Sequence, residues 1–247
     1  MKRHPKRNLP KPRLGFVVFL LLTLTGCTKP TPIRLPSQEI ITRTASRMKG
    51  LDGFHFLIQR EGAPAYLDYA GTIAFRRAEG DFVSPDQAQA TVRVITPGLV
   101  AEIRIIALAE NYWETNLLTG EWQALPPNMG FNPAVLFDPV IGFQSILESD
   151  LFNLTLQPDE ELEEAPGKTF YVLAGDLKGE RLYEMSYGMI GPDQLTVKMW
   201  VDPGTFDLYR TLITDPPAGA GESTLWQVDF WDFGKVADIR PPEVKEP

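Results

Sequence analysis

Apolar and polar side chains alternate along most of the chain downstream of residue 53. A period of two is typical of β-strands with one buried face and one solvated face. The links between these segments are short and contain glycine and proline, which favours a meander of antiparallel strands. The predicted strand segments are residues 54–59, 67–76, 92–94, 102–105, 151–156, 169–177, 181–189, 194–201, 206–214 and 224–233.

A helical period precedes this alternation. Residues 37–49 carry apolar side chains at helical spacing, with Ser37 as a capping residue at the start and Gly50 at the end. Two shorter helices are predicted at residues 133–137 and 139–148, after an Asn-Pro and an Asp-Pro pair. The second of these is apolar around much of its circumference, so we expect neighbours to cover it on more than one side.

Turn residues and composition then define the organisation of the domain. Asp202-Pro203-Gly204-Thr205 predicts the turn of a hairpin between residues 195 and 213. The acidic residues 158–164 predict a solvated loop, and residues 240–247 predict a disordered tail. No repeat or change in composition divides the remainder, so the sequence predicts a single strand-rich α+β domain over residues 37–239.

The N-terminus has the pattern of a targeting segment. Basic residues up to Arg13 precede the apolar run 14–24. At about 11 residues this run is shorter than the ~20 that a transmembrane helix needs. Leu24-Thr25-Gly26-Cys27 then resembles the lipobox of bacterial lipoproteins, in which the cysteine thiol is joined to diacylglycerol.

We therefore predict a signal peptide at residues 1–26 and lipidation of Cys27, which is the only cysteine in the chain. Residues 27–36, with three prolines, predict an extended tether. Acyl chains on Cys27 would anchor the protein to the extracytoplasmic face of the cell membrane. An ordinary signal peptide with a chance cysteine, or an uncleaved anchor, remains the alternative.

Charge changes the picture once the N-terminus is separated. The whole chain has a net charge of -8, with 43% hydrophobic and 23% charged residues, as in an ordinary globular protein. Residues 1–26 hold six basic and no acidic side chains, so the remainder has 18 basic against 32 acidic residues. A body this acidic repels polyphosphate, which argues against nucleic acid as a partner.

The residue types that carry most chemistry are scarce. A lone cysteine excludes a disulfide framework, and His55 is the only histidine after residue 26. We find no nucleotide-binding glycine loop, no GxSxG element and no metal-ligand spacing, so we predict no catalytic residues, no metal and no cofactor. A glycosidase-like pair of carboxylates has no local signature and stays open.

The order of these features resembles the LppX/LprA/LprF/LprG-type lipoprotein family, which shares its architecture with the LolA and LolB carriers. The resemblance rests on three stretches: EGDFVSPD at residues 79–86, YWE leading to TGEW between residues 112 and 122, and FDPVIGF at residues 137–143. It implies a strongly curved antiparallel sheet, a half-open β-barrel, with a few helices packed across its concave face. It also implies a cavity that holds acyl chains of lipids or glycolipids, which the protein carries within the cell envelope.

From the strand pattern and this resemblance we place twelve apolar side chains on the cavity side. They are Ile73, Phe75, Val92, Val94, Ile103, Ile105, Leu136, Phe143, Ile146, Leu147, Val197 and Met199. Each could equally fill an ordinary core, because periodicity does not separate a packed core from a lined cavity. As partners we expect a lipid or glycolipid, the membrane and a membrane transporter, with the protein itself a monomer. The alternative is a non-catalytic envelope module that binds or senses another protein and has a filled core.

Overall fold

The computed structural model describes residues 34–126, 131–217 and 219–244. The predicted signal peptide, Cys27 and most of the tether lie outside the described residues. Residues Leu35–Pro247 form one compact unit. Its described helices are α1 (Ser37–Lys49), α2 (Pro133–Leu136), α3 (Phe143–Ser149) and α4 (Glu180–Met185). None of these helices has the length and hydrophobicity of a bilayer span.

The described strands belong to one antiparallel sheet. In chain order they are β1 (Gly53–Gly62), β2 (Ala65–Tyr66), β3 (Ala74–Val83), β4 (Gln87–Thr96), β5 (Leu99–Leu108), β6 (Asn111–Thr115), β7 (Trp122–Leu125), β8 (Leu151–Glu161), β9 (Thr169–Lys178), β10 (Gln194–Val201), β11 (Leu208–Asp215) and β12 (Thr224–Trp231). They pair in the order β7-β6-β5-β4-β3-β1-β12-β11-β10-β9-β8, with β2 added on β3. Strands β7 and β8 are the two ends of this path, so the sheet stays open. The predicted fold class, an α+β half-open barrel with helices on its concave face, is confirmed.

Irregular pairing and close backbone contacts bend the sheet. The register shifts between Phe75 and Arg77 in β3, and twice along β8 against β9. Such bulges increase the local twist and bend of a strand. At Gly80 in β3, an added Cβ would lie 1.9 Å from the carbonyl oxygen of Gln89 in β4. Only glycine allows the two strands to approach this closely.

The core lies on the concave face and is rich in phenylalanine. Phe137, at the end of α2, packs its ring against Phe56 and Phe54 of β1, with ring centroids 4.7 and 5.3 Å apart. Phe82 of β3 and Phe230 of β12 complete the contacts at 5.9 and 5.8 Å. Helix α1 covers the same face with a fully buried stripe, Ile40, Ile41, Ala45 and Met48. This stripe confirms the face that was predicted for residues 37–49.

A smaller apolar cluster lies outside this core. Phe170 and Val172 of β9 pack with Trp200 of β10 and with Leu162, which follows β8. Lys198 extends over the Trp200 ring at 4.6 Å from its centroid, so a cation covers the outer edge of the cluster. This part of the sheet is therefore packed on both faces.

One predicted strand is wrong and another begins too early. Residues 181–189 form α4 and the turn after it, because Leu182, Met185 and Met189 are also spaced at helical intervals of three and four. Residues 67–73 form a loop and not the start of a strand. There the Asp68 carboxylate accepts hydrogen bonds from the backbone N–H groups of Thr72 and Ile73, which closes the loop on itself.

Three boundaries also differ from the prediction. The Ser37 hydroxyl does not cap α1 but donates to the carbonyl of Leu154 in β8. The second short helix begins at Phe143 and not at residue 139, because Asp138 accepts from the N–H groups of Val140 and Ile141 in a turn of its own. Residues 158–161, predicted as loop, continue β8, whereas residues 240–244 have neither helix nor strand.

Candidate functional site

An apolar cavity of about 50 Å³ lies between the concave face of the sheet and the helical segments. The sheet side comes from inward positions of β1, β11 and β12, and the opposite side comes from residues 131–143 and from α4 with the turn after it. The lining residues are Ile58, Phe131, Leu136, Phe137, Phe143, Leu182, Ser186, Met189, Ile190, Ile213, Trp226 and Val228. The wall is therefore almost entirely hydrocarbon, with the Ser186 hydroxyl and the Trp226 indole N–H as its polar groups.

A wider cleft of about 510 Å³ adjoins this cavity. Phe131, Ser186 and Met189 line both spaces, so the cavity and the cleft are neighbours at these side chains. The cleft is also lined by the loop 66–69, by Glu114 of β6, by Leu125 of β7 and by Tyr187. Ligand pockets for small molecules usually measure about 300–1,000 Å³, a range that includes the cleft but not the inner cavity.

Hydrogen bonds hold the helical side of the cavity in place. The Asn132 side chain accepts from the N–H of Ala134 and caps α2, as the Asn-Pro pair predicted. The buried Gln144 amide donates to the carbonyl of Phe137 at 3.0 Å, which ties α3 to α2. Arg181 of α4 donates to the Asp150 carboxylate at 2.5 Å, which links α4 to the end of α3. The three short helices therefore form one connected cover over the sheet.

The two polar groups of the cavity wall are in different states. The Ser186 hydroxyl is used within the chain, since it donates to the carbonyl of Tyr183 and accepts from the N–H of Ile190. The Trp226 indole N–H is buried and has no hydrogen-bond partner among the described residues. A buried donor without a partner is costly, and a ligand oxygen would satisfy it.

Among the residues that line the cleft, Glu114 is the carboxyl group whose pKa is raised. Burial raises the pKa of this carboxyl, and hydrogen bonds with Tyr112 and Gln123 oppose the shift only in part. The Tyr112 hydroxyl lies 3.1 Å from Glu114 Oε2 and 3.2 Å from the carbonyl of Phe131. The Tyr112 hydroxyl has one proton, so it can donate to Glu114 and to the carbonyl of Phe131 only in alternation. If Glu114 is protonated, its carboxyl can donate to the Tyr112 oxygen while Tyr112 donates to Phe131. The cleft thus has a mixed polar and apolar wall that includes a carboxyl group with a raised pKa.

The structure distributes the twelve predicted cavity residues over two environments. Leu136 and Phe143 lie in the wall of the apolar cavity. Ile73 and Ile103 are half-buried and pack against the core. The remaining eight are buried in the core away from the cavity lining, namely Phe75, Val92, Val94, Ile105, Ile146, Leu147, Val197 and Met199. Their contact with a ligand stays a prediction.

Sequence reasoning missed most of the cavity wall. Ile58, Ile213 and Val228 lie at inward positions of strands that the alternation identified, so the pattern gave their face but not their place along it. Leu182 and Met189 could not be found, because their segment was predicted as a strand. Phe131 precedes the Asn-Pro helix start and has no local signal of its own.

His55 lies on the outer face of β1, away from this cavity. Its Nδ1 is 2.7 Å from Asp81 Oδ1, and its Nε2 is 3.5 Å from Glu79 Oε1. Burial opposes ionisation of Asp81, but hydrogen bonds from Gln89 and His55 outweigh it and lower the pKa of this carboxyl. Nε2 thus faces a carboxylate where a Ser-His-Asp triad needs a hydroxyl. In the described ranges no group of histidine, cysteine and carboxylate side chains could hold a metal ion.

Comparison with known proteins decides the family. The LppX_LprAFG lipoprotein family matches this sequence over residues 36–239. The chain belongs to the LppX_LprAFG lipoprotein family. The match spans α1 to the end of the sheet and includes every residue of the cavity and the cleft. No curated protein matches the chain at a significant level.

Solved structures of the same family have the same fold. LprF from Mycobacterium bovis is 16% identical, with a TM-score of 0.63 over 83% of this chain and 96% of that one. LppX from Mycobacterium tuberculosis is 15% identical, with a TM-score of 0.57 over 83% of this chain and 98% of that one. A LolA superfamily protein from Nitrosomonas europaea, 14% identical, covers 84% of this chain and 96% of its own, at a TM-score of 0.28. The first two similarities establish the half-open barrel as the fold of this family member.

Family membership also has a consequence for location. The family is one of lipoproteins, which implies a lipid-anchored protein outside the cytoplasm.

Proposed function

We propose that this family member carries the acyl chains of a lipid or glycolipid on the concave face of its sheet. After removal of residues 1–26, Cys27 would anchor it to the cell membrane, and the cargo would pass within the cell envelope. The observation that supports this proposal is that an open cleft and a hydrocarbon-lined cavity are neighbours and share the side chains of Phe131, Ser186 and Met189. A filled core would not need an apolar space beside an open cleft.

The dimensions of the two spaces indicate how a chain would be accommodated. The cleft is large enough for part of a lipid, whereas the inner cavity holds about 50 Å³ and must widen before an acyl chain enters. Met189 lies at the junction, and methionine side chains adapt easily because they are unbranched and flexible. Each methylene that moves from water into such a space gains about 0.8 kcal/mol.

Binding and release of this kind need no reacting group, so we propose a carrier and not an enzyme. The Trp226 N–H would donate to an ester or amide oxygen of the lipid, and Glu114 would contact a hydroxyl of its head group. A membrane transporter would supply or receive the cargo, and the carrier would act as a monomer.

The test uses the domain that starts at Thr28, which contains the whole compact unit Leu35–Pro247. Native mass spectrometry should show co-purified lipid, and a fluorescent fatty acid should bind and be displaced by lipid extract. Met189→Trp narrows the junction and should reduce probe binding at least about tenfold. Tyr183→Trp adds an indole on α4 at an exposed position outside the cavity wall, and should leave binding unchanged.

The opposite result favours the alternative function. The small inner cavity is the observation that supports a non-catalytic module with a filled core, which binds or senses another protein. A lipid-free mass together with no uptake of probe by folded protein would contradict the carrier. Equal probe binding in both tryptophan variants would show that the junction at Met189 is not the route.

A further inference from the structure

Five loop segments at one end of the sheet are almost without charge. The segments 94–101, 116–120, 186–192 and 216–221 contain no Asp, Glu, Lys or Arg. The loop between β1 and β3, residues 63–73, contains one charged residue, Asp68, whose carboxylate is occupied by Thr72 and Ile73. This is unusual in a domain with 32 acidic and 18 basic residues after position 26.

Strand register places these loops at the same end. Tyr66 pairs with Ala74, and Ala74 pairs with Ile95, so the loop 63–73 and the β4–β5 turn are neighbours. Gly62 at the end of β1 pairs with Thr224 at the start of β12, which places the β11–β12 loop at this end too. The Gly191 N–H donates to Asp215 at the end of β11, which brings in the segment after α4. The β6–β7 turn points the same way, because β6 is antiparallel to β5 and runs toward the start of β5. Its last residue, Thr115, accepts a hydrogen bond from the N–H of Arg104 through its hydroxyl.

Large apolar and aromatic side chains are exposed on these loops. Tyr69 is fully exposed, Leu118 is 87% exposed, and Val100 is 59% exposed. The set that we name the apolar rim is Tyr66, Tyr69, Ile95, Leu99, Val100, Leu118 and Tyr187. Three of its members, Tyr66, Tyr69 and Tyr187, also line the cleft. These three side chains place the apolar rim beside the opening of the proposed lipid-binding site.

The other end of the sheet differs in character. Its turns contain Asp86, Glu110, Asp202, Asp232 and Lys235. Lys168 at that end forms an ion pair with Asp202, and Lys235 forms one with Asp232. The loops of the apolar rim can therefore approach an apolar or interfacial phase with fewer charges removed from water than the turns of the other end. The charged residues of the rim end lie outside these loop segments, mainly at the end of β9 and in its connection to β10, where Lys178, Glu180, Arg181 and Asp193 lie.

We propose that the apolar rim docks on the interface of a lipid bilayer, with the cleft opening facing the membrane. Tyrosine is enriched at membrane interfaces because its ring is apolar and its hydroxyl stays hydrated. The aliphatic members of the rim enter the boundary of the acyl region, as in peripheral proteins. The acidic remainder of the domain is repelled by anionic lipids and stays in water, which fixes the orientation.

The position of the tether is compatible with this orientation. The Ser37 hydroxyl bonds to Leu154, three residues from the first residue of β8 at the rim end. From Cys27 to Leu35 the chain spans at most about 28 Å when extended. A domain anchored at Cys27 would thus bring its apolar rim to the bilayer without strain on the anchor. Docking at the apolar rim is a second membrane contact beside the lipid anchor. It rests on the proposed function only in that a lipid would pass through the opening.

The test uses the non-acylated domain from Thr28 and vesicles of pure phosphatidylcholine. This domain lacks cysteine, so Leu118→Cys and Val236→Cys each give one site for an environment-sensitive fluorophore. Val236 is 61% exposed and follows β12 at the charged end, which makes it the matched control. Vesicles should shift the emission of the label at position 118 to shorter wavelength and leave the label at position 236 unchanged.

Sedimentation with the same vesicles measures the affinity without a label. Combined Tyr69→Ser, Leu99→Ser and Leu118→Ser should weaken binding at least about tenfold, while Val236→Ser has no effect. All four positions are exposed, so folding should be preserved, which circular dichroism checks. Vesicles with 30% phosphatidylglycerol should bind less at low salt, and added salt should remove the difference.

The outcomes separate docking from lipid carriage. No vesicle binding, equal shifts at both labels, or binding that requires anionic lipid would overturn the docking proposal. Vesicle binding by a domain that takes up no acyl probe would contradict the carrier and leave docking intact. Probe uptake without vesicle binding would contradict docking and leave the carrier intact. It would favour a protein as the partner at the apolar rim.

Discussion

Removal of the Phe137 ring tests both the stability of the core and the identity of the cavity. Phe137 is 3% exposed and lies in edge or tilted contact with four phenylalanine rings at 4.7 to 5.9 Å. A buried Phe→Ala change costs about 3–5 kcal/mol, and the upper half applies where neighbours cannot close the space. Here α2 is fixed by Asn132 and Gln144, so we expect Phe137→Ala to cost about 4–5 kcal/mol.

The same substitution should enlarge the cavity, because Phe137 forms part of its wall. Phe170→Ala is the matched control, since Phe170 is 1% exposed but belongs to the outer cluster. Both variants should unfold at lower denaturant concentration, with a melting temperature lower by roughly 8–20 °C for Phe137→Ala. A fatty-acid probe at about 100 times its Kd should restore about 2.7 kcal/mol in a variant that binds it.

Phe137 thus has two separable roles, one in the packing of the core and one in the wall of the cavity. Guanidinium chloride unfolding with and without the probe measures both, and the restored stability should exceed that of the Phe170→Ala control. A loss below about 1 kcal/mol in Phe137→Ala would refute the packing argument. If Phe137→Ala loses the expected stability but the probe restores no more of it than in Phe170→Ala, the assignment of this cavity to acyl chains would be refuted.

Three further predictions follow from single contacts. Because the raised pKa of Glu114 means that the folded state holds the proton more tightly, its contribution to stability falls as pH rises from the ordinary glutamate pKa through the raised value. In Glu114→Gln the melting temperature should therefore depend less on pH across that range, which thermal melts at several pH values measure. An unchanged slope of melting temperature against pH would contradict the raised pKa of Glu114. Arg60 is buried and donates to the carbonyls of Phe75 and Gly62 at 2.8 Å. Arg60→Met should therefore lower the free energy of unfolding in urea by about 2–4 kcal/mol. Arg93→Met, which removes an exposed ion pair with Glu102, should lower it by less than about 1 kcal/mol. Gly80→Ala places a methyl group against the carbonyl of Gln89 and should lower the free energy of unfolding by about 3 kcal/mol. In the control Gly98→Ala the methyl group meets no atom within 4 Å, so only the strain of the positive φ should count, about 1 kcal/mol. Equal losses in the two variants would show that the sheet relaxes at residue 80.

Local patterns were sufficient wherever one interaction dominates. The face of α1, the capping of α2 by Asn132 and the hairpin at Asp202–Thr205 follow from neighbours in the chain, and the structure has all three. The pattern failed where two local structures compete. Tyr183, Met185, Tyr187 and Met189 have a strand period, whereas Leu182, Met185 and Met189 have a helix period. Contact of α4 with the rest of the helical cover selects the helix.

The candidate site depends on contacts that no local pattern contains. Ile58, Trp226 and Ile213 are distant in sequence and become neighbours because β1, β12 and β11 pair in that order. Whether an inward side chain fills the core or lines a space depends on the curvature of the sheet and on where the helices lie. Ile213 and Val228 line the cavity, whereas Val197 and Met199, which alternate in the same way along β10, are covered.

The sequence by itself determined the alternating strands, the open α+β fold through its family resemblance, and the absence of charge from the loops of the apolar rim. These properties are local, because each depends on a residue and its near neighbours along the chain. Only the tertiary structure decided that these loops lie at one end of the sheet and that two of them border a cleft. It did so because antiparallel pairing brings alternate turns of a meander to the same end, wherever those turns lie in the sequence.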